Sequence, residues 1–229
     1  MIVERWGLSR TQLDEYSLGS HDKAAAAQDE GRFTGQITAV TGPDGTKAET
    51  DEGVRRGSTL ETLAALKPAF RPEGGTITAA NSSQISDGAA ALLIMTSEKA
   101  AELGFTPIAR IHTAVVTGDD PIIMLTGPIP ATEQALARGK LNIDDIDVFE
   151  VNEAFAPVLL AWSADTGASL KKTNPNGGAI ALGHPLGATG AILMTKLLHE
   201  LERTGGRYGL QTMCEGGGQA NATIIERLG

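Results

Sequence analysis

Two stretches toward the end of the chain hold side chains able to move protons and polarise carbonyl groups. In "NPNGGAIALGHPLGATG", residues 174–190, His184 stands among several glycines and two prolines with no charged neighbour. An imidazole titrates close to neutral pH and serves as base, acid or oxyanion donor. The glycines permit close backbone approach, and Pro185 stiffens the exit, so the ring can be aimed with little freedom. Further on, Cys214 follows the strand-like stretch "YGLQTM" and precedes "EGGG". That setting offers a thiol at a sheet edge, with the amides of Gly216 and Gly217 able to point at a ligand. Asn152 and Glu153 follow "DVFEV", and Ser83 lies in "NSSQISDG", residues 81–88. Taken singly, each has a plainer reading: a histidine in a tight turn, a small buried hydrophobe, an N-cap asparagine, a polar loop. His21, His112 and His199 have no comparable setting and read as structural.

The elements that must position these residues alternate between helix and strand. Ser9 and Gln12 have capping-box spacing, and Leu13, Tyr16, Ser20, Ala24 and Ala27 share a face, so a helix is expected up to Gly31. From Gly35 to about Gly75 the turns "TGPDGT", "RRGST" and "RPEGG" surround a short helical piece near Thr59–Leu66, predicting an irregular subdomain. "AAALLIM", residues 89–95, has the length of a buried strand, followed by a helix with Ser97 as N-cap and Gly104 as stop. "IARIHTAVV", "DIDVFEV", "YGLQTM" and "NATIIE" read as strands. "TEQALARG", "NEAFAPVLLAWSADTG" and the segment from about Gly187 to Arg203 read as helices. Such alternation predicts an α/β layered fold with buried sheets.

Composition narrows the partners. With 19 basic against 28 acidic residues among 229, the net charge of −9 excludes a general affinity for nucleic acid or anionic membrane. Anionic ligands must be held by local groups. Neither a long apolar run nor a basic-then-apolar leader is present, which reads as cytoplasmic. The single cysteine, Cys214, cannot form an intrachain disulfide.

The order of the motifs is itself informative. "NSSQISDGAAA", then "NEAFA", then "NGGAIALGHPLGATG", then "CEGGG" resembles the thiolase family, and the resemblance runs from "ERWGLSR" to "ATIIERL". It implies a layered α-β-α fold and exchange between 3-ketoacyl-CoA plus CoA and acyl-CoA plus acetyl-CoA through an acyl-cysteine. His184 is implied as base to the nucleophilic thiol and as one oxyanion donor. Asn152 is implied to hold a water that completes this oxyanion site. The resemblance makes Cys214 the second thiol, moving a proton at the α-carbon, with the Gly216 amide in the other oxyanion site. A neighbouring histidine is expected to lower the Cys214 pKa toward working pH. Ser83 matches a contact to the pantetheine arm, Arg55 and Thr62 lie near the nucleotide, and Met124 and Phe155 line the acyl pocket. Coenzyme A is a substrate, and no cofactor or metal is implied. Gln84, Ser86, Leu125 and the pair Gln219-Ala220 depart from the commoner residues of the family, all near the pocket wall.

Thiolases carry their acylated cysteine in an N-terminal half, before the region matched by Met1. The resemblance therefore makes residues 1–88 the insertion (loop) domain plus the link to the last strand of that half, and residues 89–229 the C-terminal half. The expected partners are acyl-CoA, CoA and the complementary N-terminal half, within a homo-oligomer involved in fatty acid and lipid metabolism. Neither nucleic acid binding nor membrane insertion is expected. Two other readings stay open here: a non-catalytic CoA-binding or oligomerisation module, and a thioester hydrolase using Cys214 and His184.

Overall fold

The computed structural model describes all 229 residues. In chain order they form α1 (Ile2–Arg5), α2 (Arg10–Asp29), β1 (Val40–Thr41), β2 (Lys47–Ala48), α3 (Leu60–Ala64), α4 (Ser97–Leu103) and β3 (Ala109–Gly118). Then come α5 (Pro128–Gly139), β4 (Val148–Val151), α6 (Ala156–Thr166), α7 (Ala179–Leu182), α8 (Thr189–Thr204), β5 (Tyr208–Glu215) and β6 (Gln219–Arg227). These elements belong to two compact units. One comprises Met1–Asp87, Glu153–Leu159 and Pro175–His184, and the other Gly88–Asn152, Leu160–Asn174 and Pro185–Gly229.

The first unit is organised around α2. Ser9 accepts from the Gln12 amide while the Gln12 side chain accepts from the Ser9 amide, so two donors of the first turn are satisfied reciprocally. Leu13, Ser17, Ser20, Ala24 and Ala27 are buried along one side, at the spacing of a single helix face. The helix stops at Asp29, two residues before Gly31. Within the 35–75 region, β1 and β2 form a small antiparallel hairpin, and a second capping box between Thr59 and Thr62 starts α3. Arg10 ties α2 to α3 by donating to the Leu63 carbonyl at 2.6 Å.

The second unit holds a four-stranded sheet in the order β3-β6-β5-β4, with β4 parallel to β5 and the other pairings antiparallel. Helix α8 covers one face, packing Leu197 and Leu201 with Val148 of β4 and Ile225 of β6. Helix α5 packs on β3, β5 and β6. Its proline at the first turn fits a position whose amide has no helical acceptor. Trp162 is fully buried, sits edge-on to Phe149 at 5.4 Å and donates from its indole nitrogen to Thr132 at 2.9 Å. Under α8, Lys196 meets Glu150 at 2.8 Å in a buried ion pair.

Three local expectations are corrected. Residues 89–95 form no strand, and Leu93 and Ile94 are 74% and 67% exposed, because no strand of this chain pairs beside them. An extended segment needs a neighbour's amides and carbonyls before its side chains can be buried as a sheet layer. Thr96 rather than Ser97 caps α4, accepting from the Lys99 amide at 3.2 Å. Asn152 caps no helix, since α6 starts only at Ala156. Its own amide instead continues the β4–β5 ladder by donating to the Thr212 carbonyl at 3.0 Å.

The nearly buried carboxylate of Glu226 anchors a charge cluster whose stability depends on pH. Glu226 of β6 accepts from Arg110 of β3 and Arg207, and these guanidinium groups, Arg207 first, hold its carboxyl below the usual range. A depressed folded value contributes stability above the unfolded value of about 4.3, and this stability is lost as pH falls through the folded value. Glu226→Gln should therefore lower the melting temperature at pH 7 by about 2–4 °C. The gap to wild type should close in melts run near pH 3.

Candidate active site

The residues singled out above fall into two sets, one in each unit. In the first unit, Ser83, Phe155 and His184 are drawn together by one short segment. Ser82 bridges to Phe155, the Ser83 amide donates to the Ala154 carbonyl at 3.0 Å, and the Gln84 carbonyl accepts from the His184 amide at 3.1 Å. The Gln84 side chain then donates to the carbonyls of Gly53, Ile180 and Ala181 at 2.8, 2.9 and 3.2 Å. A carboxamide stitched to three carbonyls fixes the approach to His184. Gly183 has φ +89° beside the Ser86 side chain, a backbone geometry that a Cβ would both strain and crowd. His184 is half-buried, and burial lowers its pKa, so the ring is neutral at pH 7.

Phe155 stands edge-on to Phe70 at 6.2 Å. Arg55 is exposed, and its backbone amide donates to His21 Nδ1 at 3.1 Å. Its guanidinium pairs with no carboxylate of the chain, unlike that of Arg56, which holds Asp29 at 2.8 Å. Thr62 spends its hydroxyl on the α3 cap, accepting from the Thr59 amide and donating to the Thr59 carbonyl.

In the second unit, Asn152, Cys214, Gly216 and Met124 gather at one end of the sheet. Asn152 is buried and bonds to Thr212, two residues before Cys214 on the adjacent strand. Cys214 pairs across to Ala220 near the end of β5 and is partly buried. Gly216 opens the link to β6, which is exposed at Gly216 and Gly217 and buried at Gly218, and Gly217 and Gly218 take φ +79° and +81°. The Gly218 carbonyl accepts from the Asp119 amide at 2.7 Å, which brings the loop carrying Met124 to this turn. Met124 itself has φ +60°, a left-handed conformation unusual for methionine. It is held there by the hydrogen bond its amide donates to the Asp120 carbonyl and by the one the Thr126 hydroxyl donates to the Asp119 carboxylate. Backbone strain of this kind concentrates at ligand-contacting loops.

The expected lowering of the Cys214 pKa is overturned. Burial pushes the thiol up to about 11, and the adjacent Glu215 carboxylate adds to the rise. At pH 7 this sulfur carries its proton. A neutral imidazole and a protonated thiol are reagents for proton transfer. Glu153 received no role from its sequence, although it stands in an apolar stretch where an acidic residue is costly to bury. It is 1% exposed and joins α2 to the start of α7.

Comparison with known proteins gives a consistent result. The family model for the thiolase C-terminal domain matches residues 105–227, and that for the thiolase N-terminal domain matches residues 1–98. A steroid 3-ketoacyl-CoA thiolase of Mycobacterium tuberculosis is 56% identical over 228 residues, covering 100% of this chain and 55% of that protein. The crystal structure of Bacillus anthracis acetyl-CoA acetyltransferase superimposes with a TM-score of 0.95 at 41% identity, covering 99% of this chain and 58% of that one. Human mitochondrial 3-ketoacyl-CoA thiolase in complex with CoA gives 0.92 at 38% identity, covering 99% and 57%. The chain thus spans little more than half the length of these relatives. No helix is long and apolar enough to cross a membrane.

Proposed function

The chain belongs to the thiolase family, and from that premise we propose that it supplies the histidine, asparagine and second-thiol part of an acyltransferase site. The reaction interconverts 3-ketoacyl-CoA plus CoA with acyl-CoA plus acetyl-CoA. The observation that most supports this reading is the thiol of Cys214, kept protonated by burial at the same sheet end as Asn152 and Gly216. A thiol in that state suits an acid better than a resting nucleophile.

In the cleavage direction His184 takes the proton of a cysteine on the complementary half. The thiolate attacks C3 of the 3-ketoacyl-CoA. The C2–C3 bond breaks, its electron pair passes to the α-carbon of the departing acetyl-CoA, and Cys214 delivers its proton there. The resulting Cys214 thiolate takes the proton of the incoming CoA thiol, whose sulfur attacks the acyl-cysteine. Acyl-CoA leaves, and the protonated His184 returns its proton to the freed cysteine. His184, with a water held by Asn152, would serve the oxygen of one thioester, and the Gly216 amide that of the other, in a site where low dielectric strengthens each bond. Ser83 would meet the pantetheine arm, while Met124 and Phe155 would line the acyl pocket. Arg55, exposed and without a carboxylate partner, would be available to the nucleotide phosphates, with Thr62 nearby. The unpaired segment 88–95 would gain its neighbours from the complementary half. The assembled enzyme is read as a cytoplasmic homo-oligomer on the family resemblance and the composition.

A cycle of this kind needs two thiols, and these 229 residues contain one. Purified on its own, the polypeptide should leave acetoacetyl-CoA uncleaved in the presence of CoA. Turnover should appear once a nucleophile-bearing N-terminal half is supplied. Robust thiolysis by the pure polypeptide, or hydrolysis of acyl-CoA that depends on Cys214, would refute the assignment.

A further inference from the structure

We propose that Glu153 is a positioning residue for His184, its buried carboxylate being the clasp that fixes the segment from Gly178 to His184. The role rests on the function proposed above for His184, but the geometry stands independently of it. Glu153 Oε1 accepts from the Tyr16 hydroxyl at 2.8 Å. Oε2 accepts from the Ser20 hydroxyl at 2.7 Å and from the Ile180 amide at 3.1 Å. Tyr16 and Ser20 are four residues apart on α2 and so present both hydroxyls from one face. The Ser20 oxygen in turn accepts from the Gly178 amide at 3.1 Å, and Arg32, just beyond the same helix, donates to Asn176 at 2.8 Å.

The clasp governs a short path to the imidazole. Helix α7 has only four residues, too few to hold its own orientation. Its start is set by the amides of Gly178 and Ile180, both tied to the Glu153–Ser20 pair. Its end is set by the Gly183 amide on the Ala179 carbonyl, after which His184 follows directly. A side chain at Gly178 would enter the volume of the Glu153 carboxylate, so this glycine allows the contact. The Tyr16, Ser20 and Ile180 donors all point into the Glu153 carboxylate. That makes a planar group with one oxygen accepting from Ser20 and Ile180, and a second polar atom able to pair with the Tyr16 hydroxyl, the required chemistry.

The test compares Glu153→Ala, Glu153→Gln and Ser20→Ala in the assembled enzyme, and follows the His184 ring by NMR titration in the 229-residue chain. A carboxamide can keep its oxygen toward Ser20 and Ile180 while the Tyr16 hydroxyl turns to accept. Glu153→Ala should lower kcat by about a hundredfold, the scale of a displaced catalytic group, with KM for CoA within about twofold. Glu153→Gln should restore most of that loss. Ser20→Ala, the milder removal should Glu153→Ala fold poorly, should cost about tenfold. In both deletions the His184 titration should move up toward its ordinary value as the segment loosens and admits water. Equal kcat in the Ala and Gln variants, or an unmoved His184 titration in folded variants, would overturn the proposal. Should the assembled wild type show no thiolysis, the functional reading fails, and the His184 titration alone still decides whether Glu153 holds the segment.

Discussion

In the assembled enzyme, His184→Ala is expected to reduce both half-reactions, acyl transfer to the nucleophilic cysteine and formation or cleavage of the carbon–carbon bond, by about a thousandfold or more. The size follows from two duties carried by one ring. As base to the partner thiol, a positioned imidazole contributes about 10²–10⁴ in rate. As a donor to a thioester oxygen, it adds an effect on the scale of a lost oxyanion donor, about 10²–10³. Burial lowers the His184 pKa, so the neutral form is available at pH 7 without competition from solvent protons. Methyl truncation removes both duties at once. Neither external thiol nor a higher pH should rescue the variant, because the lost group is also a hydrogen-bond donor. A single-turnover experiment with acyl-CoA measures the first half-reaction, and steady-state thiolysis measures the sum. A variant impaired in only one of the two would show that His184 serves a single step.

Cys214→Ser should separate the steps instead. Acyl transfer onto the partner cysteine should persist at a reduced rate, since Cys214 forms no covalent bond in the proposed cycle and CoA can depart as its thiolate without the proton Cys214 would give it. Proton transfer at the α-carbon should fall by about a hundredfold or more, because a hydroxyl is a far weaker acid than a thiol. The Cys214 value of about 11 also fixes the direction of the pH response. Cleavage uses the protonated thiol, so its rate in wild type should hold through neutral and mildly alkaline pH and decline only as the thiol ionises near 11. Condensation starts from the thiolate and should rise over the same range. Mass spectrometry after incubation with acyl-CoA provides the deciding observation. An acyl group mapped to Cys214 as a turnover intermediate would transfer the nucleophile's role to this residue and favour a hydrolase.

How much of this was readable beforehand depends on how far apart the cooperating residues lie in sequence. The helix from Arg10, the strands around Val148 and Leu210 and the left-handed stop at Gly104 follow from spacings of two to four residues, which local chemistry decides. The motifs around Asn152, His184 and Cys214 were likewise legible, because residue types and their order carry a family resemblance without coordinates. What failed locally failed for a non-local reason. "AAALLIM" has the composition of a buried strand, yet whether it becomes one depends on a neighbour that this chain does not place beside it. Asn152 has the preferences of an N-cap, but its amide found a strand partner 60 residues away in Thr212.

Tertiary structure alone decided the electrostatics and the clasp. A histidine nearby in the motif order suggested a depressed thiol pKa, whereas burial near the end of β5 sends it upward, since desolvation penalises the thiolate. Glu153 meets Tyr16 and Ser20 across separations of 137 and 133 residues, distances at which no periodicity survives. The sequence by itself determined which groups are present, which short elements carry them and which family they resemble, because these are properties of residues a few positions apart. Folding determined which of those groups are buried, which remain protonated and which hold one another in place, because dielectric environment and hydrogen-bond partners exist only once distant segments have met.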